Sequence, residues 1–290
     1  MSGVAILGSK CGELCLELME AFEKRDVSAV FVPVQDLSMT AGAGRGSALD
    51  SFDAAVIRGI PAGSLEQVIF RMDALYACER EGLPIINSPK AIEKTVDKYY
   101  TTALLEEGGL NVPPTVCVQG DEERYVKAFY ELGEDVIYKP LFGSCGSGLR
   151  RLASESEVRE LARDLASEGR IAYLQKFIPC GGRDIRAFVL GGEVIASMER
   201  RGRDWRANLT LGGTAVPREL NPLERDLAIR SAAAVGAEVA GVDFLYDEDG
   251  RPYVIEVNGC PGWKGLAAAT GVDVAGRIAD CVIGKISTGD

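Results

Sequence analysis

Hydrophobic and polar positions at the start of the chain alternate between the period of a strand and the period of a helix. Residues 4–8 and 28–34 are short apolar runs, and between them residues 13–24 carry apolar side chains at the spacing of one helix face. The alternation continues with an apolar run at residues 54–57 and a helical pattern at residues 65–81. A strand–helix series of this kind predicts a small open parallel sheet.

Two further units follow this opening, which ends with an apolar run at residues 84–87. A helix is expected at residues 97–107, and the strand at 136–139 precedes a glycine-rich segment. Paired strands at 183–190 and 193–200 begin the last unit. We therefore expect an α/β (α+β) protein, with units at residues 1–88, 89–179 and 180–290.

Two apolar runs near the C-terminus predict a β-hairpin with polar side chains on one face. An acidic, glycine-containing turn joins them, and pairing Tyr246 with Tyr253 places Asp243 opposite Glu256. The strand period of two adds Asn258 to the same face. Three hard oxygen ligands without His or Cys favour Mg²⁺ or Mn²⁺ over zinc. The alternative is a hairpin whose acidic side chains only face water.

Composition narrows the class of protein. A chain of 290 residues with 47% hydrophobic residues can bury a large core. Its 43 acidic and 32 basic residues give a net charge of −11, which argues against general nucleic-acid binding. We find no apolar run long enough to span a membrane and no export signal pattern, so a cytoplasmic protein is expected.

The chain has no histidine, which removes several mechanisms. Ser-His-Asp and Cys-His catalysis and His-ligated zinc all require that side chain. The eight cysteines contain no CxxC pair and are expected to be reduced thiols in the structure. Chemistry must then depend on carboxylates, lysines, arginines, backbone amides and a bound ion.

A glycine-rich segment at residues 140–148 follows Lys139. Such a loop can present backbone N–H groups to phosphate oxygens, and the lysine supplies a point charge. It is not a Walker A loop, because GxxxxGK followed by Ser or Thr is missing. An ordinary glycine-rich hairpin turn is the alternative.

A second local concentration of positive charge follows the strand at 193–200. Arg200, Arg201, Arg203 and Arg206 precede Asn208 in an otherwise acidic chain. Guanidinium groups match phosphate and carboxylate in two-donor geometry, so this loop is a candidate anion site. For any single arginine, a solvated strand face remains the alternative.

The order of these features resembles the ATP-grasp superfamily. A helix lysine, a strand lysine with a glycine-rich flap and an apolar linker at 175–178 come first. An Asp184-Ile185-Arg186 strand, a distal arginine and the closing Glu256-Val257-Asn258 follow. Within the superfamily the chain resembles the RimK-like glutamate ligases over nearly its whole length. Its segment 261–266 is most similar to archaeal-type members that add glutamate to tetrahydromethanopterin or to the deazaflavin coenzyme.

The resemblance implies an ATP-grasp fold, in which an N-terminal open parallel α/β domain precedes two α+β domains that enclose ATP. It implies that the phosphates contact Lys98, with Lys94 as its alternative, and Lys139, and that Asp184 contacts ribose or orients Arg186. The implied linker residues at adenine are Gln175, Lys176, Phe177 and Ile178. The implied flap residues are Ser144 and Gly146, and the implied ligands of one or two Mg²⁺ or Mn²⁺ ions are Asp243, Glu256 and Asn258.

The resemblance also implies a reaction. The γ-phosphoryl group of ATP passes to a substrate carboxylate, and an amine, here that of L-glutamate, attacks the resulting acyl phosphate. Arg186 and Arg200 would stabilise the developing charge, and Arg206 with Asn208 would position a carboxylate.

Other functions remain open at this point. A related ligase could modify a carrier protein or another small acid, an ATP-grasp phosphotransferase could stop at a phosphorylated alcohol, and a non-catalytic module could bind ATP for regulation. The acceptor is expected to contact the first unit, but the loops at Arg58-Gly59 and around Arg45 match no signature. A homo-oligomer without nucleic-acid or membrane partners is expected.

Overall fold

The computed structural model of the protein describes residues 3–42, 46–143, 148–207 and 209–288. Three residues that the sequence assigns to the site, Ser144, Gly146 and Asn208, lie outside the described residues. Arg45 is also outside them.

The first part of the chain folds into the predicted parallel sheet. Its elements are β1 (Gly3–Gly8), α1 (Glu13–Glu23), β2 (Ser28–Pro33), β3 (Met39–Thr40), β4 (Gly46–Ser47), β5 (Ala54–Ile57), α2 (Leu65–Arg80) and β6 (Ile85–Ile86). The sheet order is β2-β1-β5-β6 with parallel neighbours, and β3 pairs with β4. α1 packs with Val4 and Ile6 on one face, and α2 packs with Ala5 and Leu7 on the other. Both faces of β1 are therefore buried, as in doubly wound sheets.

The second sheet is antiparallel and lies in the middle of the chain. The elements here are α3 (Pro89–Val96), α4 (Lys98–Glu107), β7 (Thr115–Val118), α5 (Glu122–Glu131), β8 (Val136–Pro140), β9 (Arg150–Leu152), α6 (Glu155–Ser167) and β10 (Ala172–Lys176). The order is β7-β10-β8-β9. α5 and α6 cover one face through a core that contains Phe129 and Leu161. Lys139 and Gln175 belong to the alternate positions of β8 and β10, which point to the other face.

The third sheet is antiparallel and buried on both faces. Its elements are β11 (Arg183–Leu190), β12 (Glu193–Arg201), β13 (Thr214–Pro217), α7 (Pro222–Val235), β14 (Val239–Tyr246), β15 (Pro252–Asn258), α8 (Lys264–Thr270) and α9 (Val274–Thr288). The strand order is β13-β12-β11-β14-β15. α7 packs with Ile185 and Val189 on one face. On the other face Phe188 shares a core with Leu266 of α8 and Ile278 of α9.

The first and third sheets share this core. Leu18 and Phe22 of α1 belong to the same buried cluster as Ile278 of α9. Asn87, which follows β6, is buried and donates to the carbonyl oxygens of Val239 (2.7 Å) and Gly259 (2.6 Å). Its amide oxygen also accepts from the backbone N–H groups of residues 238 and 239. The predicted domain boundary at residue 88 therefore lies next to Asn87, which is hydrogen-bonded to the third unit, and the boundary stays a prediction.

Two expectations from composition concern the described part of the chain. No described helix has both the length and the apolar character needed to cross a bilayer. The cysteines that the structure describes are all free thiols.

Candidate active site

The C-terminal hairpin, β14 and β15, brings the predicted oxygen ligands to one face. Asp243 pairs with Glu256, as expected, and Asn258 lies two residues further along the same strand. The pairing of Tyr246 with Tyr253 was wrong, because Tyr246 lies opposite residue 252. The register shifts between Asp243 and Phe244, and the extra residue on β15 is 255. Because the bulge shifts the register by one residue, the predicted pairing is correct at Asp243 and Glu256 and wrong at the turn end of the hairpin.

Asp243 is held by two arginines. Arg186 on the neighbouring strand β11 donates from Nε to Oδ1 (2.5 Å) and from a terminal nitrogen to Oδ2 (2.6 Å). Arg200 lies 2.8 Å from Oδ2. Burial alone would raise the pKa of Asp243, but the charges and hydrogen bonds of the two guanidinium groups outweigh it and lower that pKa. Asp243 therefore stays ionised and paired.

Asp184 pairs with Arg200. The two residues lie opposite each other on β11 and β12, and Arg200 donates to both carboxylate oxygens, at 2.6 and 2.7 Å. Burial raises the pKa of Asp184, and the charge of Arg200 opposes that rise. The sequence suggested that Asp184 orients Arg186, but the arginine that it holds is Arg200. Two carboxylates and two guanidinium groups thus form a neutral, buried cluster across three strands.

The oxygen ligands differ in how available they are for a divalent cation. Glu256 makes no hydrogen bond or ion pair with another described residue, whereas both oxygens of Asp243 are occupied. The Asn258 amide oxygen accepts from the backbone N–H of Cys260 at 2.9 Å. No group of three or more acidic or thiol side chains that could hold a metal ion by themselves occurs in the described ranges. The donor set suits a hard cation that takes its remaining ligands from phosphate oxygens or water.

Two lysines lie near the free carboxylate. Lys98, at the start of α4, donates to the carbonyl oxygen of Gly143 at 2.8 Å, so it contacts the base of the flap. Burial lowers the pKa of Lys98. Burial also lowers the pKa of Lys139 to about 8, although the negative charge of Glu256 opposes this. The flap contact belongs to Lys98, while Lys94 lies on the preceding helix, α3, which the extended residue Asp97 separates from α4.

The predicted adenine linker lines a cavity of about 570 Å³, a volume that includes its open mouth. Residues 175–178 form one wall, and Ile137, Leu245 and Ile255 contribute apolar surface. The Phe177 ring contacts the guanidinium of Arg151, 3.7 Å from the ring centroid, and meets the ring of Trp205 edge to face at 6.2 Å between centroids. A flat apolar slot of this kind is suited to a purine base.

The side chain of Gln175 has a structural task of its own. It is buried and donates to the hydroxyl groups of Thr115 (3.0 Å) and Tyr173 (2.8 Å). Gln175 therefore lines the cavity from a fixed position, and what its strand can offer a ligand is mainly backbone.

Arg206 lies at this cavity together with Asp184 and Lys139. Its guanidinium is 2.6 Å from a carboxylate oxygen of Asp204 and 5.5 Å from the ring centroid of Trp205. The sequence predicted that Arg206 positions a carboxylate, but in the structure Arg206 lies beside the linker residues. Asn208, which the sequence paired with it, lies outside the described residues.

Sequence reasoning missed the apolar walls of the cavity. Ile137, Ile255 and Leu245 belong to strands from two different sheets, so only the packing of those sheets brings them together. Trp205 had a usable signal, since a tryptophan between charged residues in a loop is seldom there to fill a core.

Comparison with known proteins gives a consistent result. The RimK-like ATP-grasp domain family matches residues 95–282. The tetrahydromethanopterin:alpha-L-glutamate ligase of Methanosarcina acetivorans is 34% identical over 257 residues, which cover 78% of this chain and 78% of that protein. A probable alpha-L-glutamate ligase of Trichodesmium erythraeum is 34% identical over 251 residues, covering 84% of this chain and 82% of that protein.

A solved structure resembles the whole chain in fold. The ATP-grasp ligase PsnB, complexed with a minimal precursor, superposes with a TM-score of 0.77 at 21% identity and covers 98% of this chain and 99% of its own. The same ligase with minimal precursor, Mg and ADP gives a TM-score of 0.74, with 98% of each chain covered. The predicted ATP-grasp architecture is thereby confirmed.

Proposed function

This chain belongs to the RimK-like ATP-grasp family, and we propose that it joins L-glutamate to the carboxylate of a small-molecule acid. It is an ATP-dependent carboxylate–amine ligase, as its glutamate-ligase relatives are. The observation that carries the proposal is one continuous site. Between the second and third sheets lie an apolar slot, two lysines with lowered pKa values and Glu256, which has no ion-pair partner among the described residues.

We assign the slot at residues 175–178 to the adenine ring. Ile255 and Leu245 supply apolar contact, and Trp205 and Phe177 close the slot from one side. Asp184 also lines the slot, which is compatible with a ribose contact from a carboxylate already oriented by its arginine. Ser144 and Gly146 of the flap remain candidates for backbone contacts to phosphate.

We assign the phosphate groups to Lys98 and Lys139, and the metal to Glu256, Asn258 and Asp243. Magnesium is the expected ion, and Mn²⁺ satisfies the same oxygen ligands. When bound, the ion neutralises phosphate charge and helps to align the transferred group. Asp243 becomes available to it as Arg186 moves its donors from that carboxylate to phosphate, a shift favoured because phosphate also accepts from two donors.

The reaction needs two displacements. An oxygen of the acid attacks the γ-phosphorus, the bond to the ADP oxygen breaks, and an acyl phosphate forms. The glutamate nitrogen then attacks the acyl carbon, the carbon–oxygen bond to phosphate breaks, and the nitrogen loses a proton. Arg186 and Arg200 stabilise the negative charge that gathers on the transferred phosphoryl group and then on the tetrahedral oxyanion. Arg200 is held by Asp184 and needs little rearrangement, whereas Arg186 has to exchange Asp243 for phosphate.

Arg206 has a different role in this proposal. Its position beside the linker is better suited to a nucleotide contact than to the acceptor carboxylate, and its stacking on Trp205 fixes the guanidinium at the mouth of the slot. Asn208 follows two residues later in the same loop, and we propose that it contacts the same ligand.

The test is a screen of candidate acids with ATP, Mg²⁺ and L-glutamate. ADP release and a glutamyl mass increment on the acid are expected together, and hydroxylamine should trap the acyl phosphate as a hydroxamate when glutamate is omitted. ADP release with a phosphorylated alcohol would indicate a phosphotransferase instead. If only a peptide or a carrier protein accepts glutamate, the ligase activity is supported and the proposal of a small-molecule acceptor is wrong.

We further propose a cytoplasmic location, where ATP is available, and a homo-oligomeric state. The second proposal is supported by three exposed apolar side chains on α2, Leu65, Ile69 and Phe70, which are 76%, 49% and 44% exposed. Light scattering after size-exclusion chromatography measures the oligomer directly.

A further inference from the structure

A partly buried guanidinium without a carboxylate partner among the described residues lies at the carboxyl end of β5. Arg58 directly follows that strand, and its N–H donates to Leu7 of β1 at 2.7 Å. Its side chain donates to the carbonyl oxygen of Pro261 at 2.9 Å and stacks at 4.4 Å over the ring of Trp263. Its Nε is buried and has no hydrogen-bond partner in the part of the chain that the structure describes.

The charge of Arg58 is unbalanced within the described residues. The titratable groups that act on it are the thiols of Cys260 and Cys15, and it forms no ion pair there. Burial accordingly lowers the pKa of Arg58. Holding a cation away from water without a counter-ion is costly, so an anion that enters this position recovers interaction energy that the free protein lacks.

The place in the fold is one where open α/β sheets bind ligands. In the order β2-β1-β5-β6, the connections from β1 and β5 run to opposite faces, so the loops that follow these two paired strands diverge. A Cβ built at Gly8, which ends β1, would lie 3.8 Å from the Arg58 Cβ. The loop that follows β1 carries an exposed cation, Lys10.

The crevice between these two loops adjoins the reaction site through the turn that follows β15. The carbonyl oxygen of Pro261 accepts from Arg58, while a Cβ at Gly241 would lie 2.9 Å from the Pro261 Cβ and 3.6 Å from the Arg186 guanidinium carbon. The chain therefore passes from Ile255 at the adenine slot, through the proposed metal ligands of β15, to Pro261, which contacts Arg58. An anion at Arg58 lies beyond the end of the nucleotide site, where a second substrate belongs.

We propose that the crevice between β1 and β5 binds a substrate carboxylate, with Arg58 as its contact residue and Lys10 at its mouth. The inference rests on the proposed ligase function. Two substrates carry this chemistry, the acid that is phosphorylated and the incoming L-glutamate. Both are carboxylates that a guanidinium holds with two donors.

Binding can be measured without turnover because Trp263 reports on Arg58. The chain has two tryptophans, so Trp205→Phe leaves Trp263 as the single tryptophan emitter. Because Trp205 lines the proposed slot, saturation of this variant by the ATP analogue is first verified by calorimetry. This variant, with Mg²⁺ and a non-hydrolysable ATP analogue, is titrated with glutarate, with L-glutamate and with uncharged glutaramide at constant ionic strength. A saturable response to glutarate assigns the crevice to the acid, and a response only to L-glutamate assigns it to the amine substrate. Equal responses to glutaramide would overturn the proposal.

Calorimetric titration of variants in the native two-tryptophan chain gives the energetic test. Arg58→Gln should weaken carboxylate binding by about 10-fold or more, the scale of one charged hydrogen bond, with affinity for the ATP analogue unchanged. Arg80→Gln is the matched control, an exposed arginine at the end of α2. Lys10→Gln should weaken binding less, and only at low ionic strength, because its charge is exposed.

The outcomes separate a contact from a merely structural role. If Arg58 only anchors the turn at Pro261, Arg58→Gln should lower thermal stability and nucleotide affinity while carboxylate affinity stays as in Arg80→Gln. Should Arg58→Gln fail to fold, Arg58→Lys and Lys10→Gln decide, and unchanged carboxylate affinity in both overturns the proposal. In turnover assays the Michaelis constant for one carboxylate substrate should rise more than kcat falls. Turnover without that rise would support the ligase function and contradict carboxylate binding at Arg58. Arg58-dependent binding with no acyl phosphate from any acid would support the binding site and contradict the ligase function.

Discussion

At the scale of single residues, charge pairing decides which groups are free to act. Asp243 and Asp184 are each bound to arginines, whereas Glu256 has no such partner among the described residues. The negative charge of Glu256 raises the pKa values of Lys98 and Lys139 against the effect of burial. A carboxylate near two lysines can bind a cation, and the cation and the lysines can together neutralise phosphate oxygens. Glu256 is thus the most direct test of the metal assignment.

Replacing Glu256 by Gln should keep the fold and reduce ADP formation by at least ~10²-fold, because one carboxylate that stabilises the transferred charge is lost. Steady-state ADP release at saturating Mg²⁺ measures this. Glu248→Gln, in the exposed turn of the same hairpin, is the control and should leave the rate unchanged. Near-normal turnover in Glu256→Gln would remove Glu256 from the metal site.

The lysine pKa predicts a pH dependence. Lys139 has its pKa lowered from 10.5 to about 8, mainly by burial, so the free enzyme loses this positive charge as the pH rises through 8. kcat/KM for ATP should then fall above about pH 8, and kcat should fall less because bound phosphate raises the same pKa. Lys139→Arg should abolish this alkaline decrease.

Stability should change in the opposite direction over the same pH range. Between the folded pKa of about 8 and the ordinary value of 10.5, the unfolded chain binds more protons at Lys139 than the folded chain does. The free energy of unfolding therefore gains a positive contribution as the pH rises through this range. A parallel loss of stability and of kcat/KM would point to general alkaline unfolding and not to Lys139.

At the scale of elements, a loop and a bulge set the geometry of the cavity that we assign to the nucleotide. The extra residue on β15 places Ile255 at this cavity while Asp243 still pairs with Glu256. The connection from β12 to β13 carries Trp205 and Arg206 to the same slot. Neither effect changes the type of any element, yet both decide which side chains meet the ligand.

Arg206→Ala should therefore weaken binding of an ATP analogue and lower kcat/KM for ATP by the same factor, about 10-fold for one charged contact. Calorimetric titration beside steady-state kinetics measures both. Arg201→Ala is the matched control, because Arg201 is exposed and pairs with Glu199 away from the slot. If Arg206→Ala keeps its nucleotide affinity while acceptor-dependent turnover falls ~10²-fold, the arginine serves the acceptor carboxylate, as the sequence suggested.

At the scale of the whole molecule, the end of the chain completes the core of its beginning. Ile278 on α9 is 1% exposed and shares a buried cluster with Phe22 of α1 and Phe188 of β11. The crevice at Arg58 and the turn at Pro261 lie along the same junction. Packing of α9 therefore supports the relative position of the acceptor crevice and the nucleotide site.

Ile278→Ala should lower the free energy of unfolding by about 2–5 kcal/mol, the range for removing a buried branched side chain. Chemical denaturation followed by circular dichroism and by tryptophan emission should give coincident transitions, because Trp263 shares that core. Asp280→Asn, which breaks the partly exposed pair with Arg25, should cost no more than about 1 kcal/mol. Separate transitions would instead indicate that the first sheet unfolds independently.

Local pattern was sufficient for the elements themselves. The helix expected at residues 65–81 is α2 (Leu65–Arg80), and the strands expected at 183–190 and 193–200 are β11 and β12 within one residue. Side-chain period and turn chemistry act over a few residues, so the sequence alone determines them. The ATP-grasp resemblance is carried by the same local motifs, in an order that the folded chain preserves.

Tertiary structure alone decided which charged groups became partners. Sequence spacing brought Asp243 to Glu256, but the order β12-β11-β14-β15 assigned Arg186 to Asp243 and Arg200 to Asp184. Tertiary structure also decided three other features: the bulge at 255, the packing of α9 against the first sheet, and the lack of a described counter-ion for Arg58. Each depends on contacts between residues far apart in the chain, whose free energy is set by burial and by neighbouring charges that no local pattern contains.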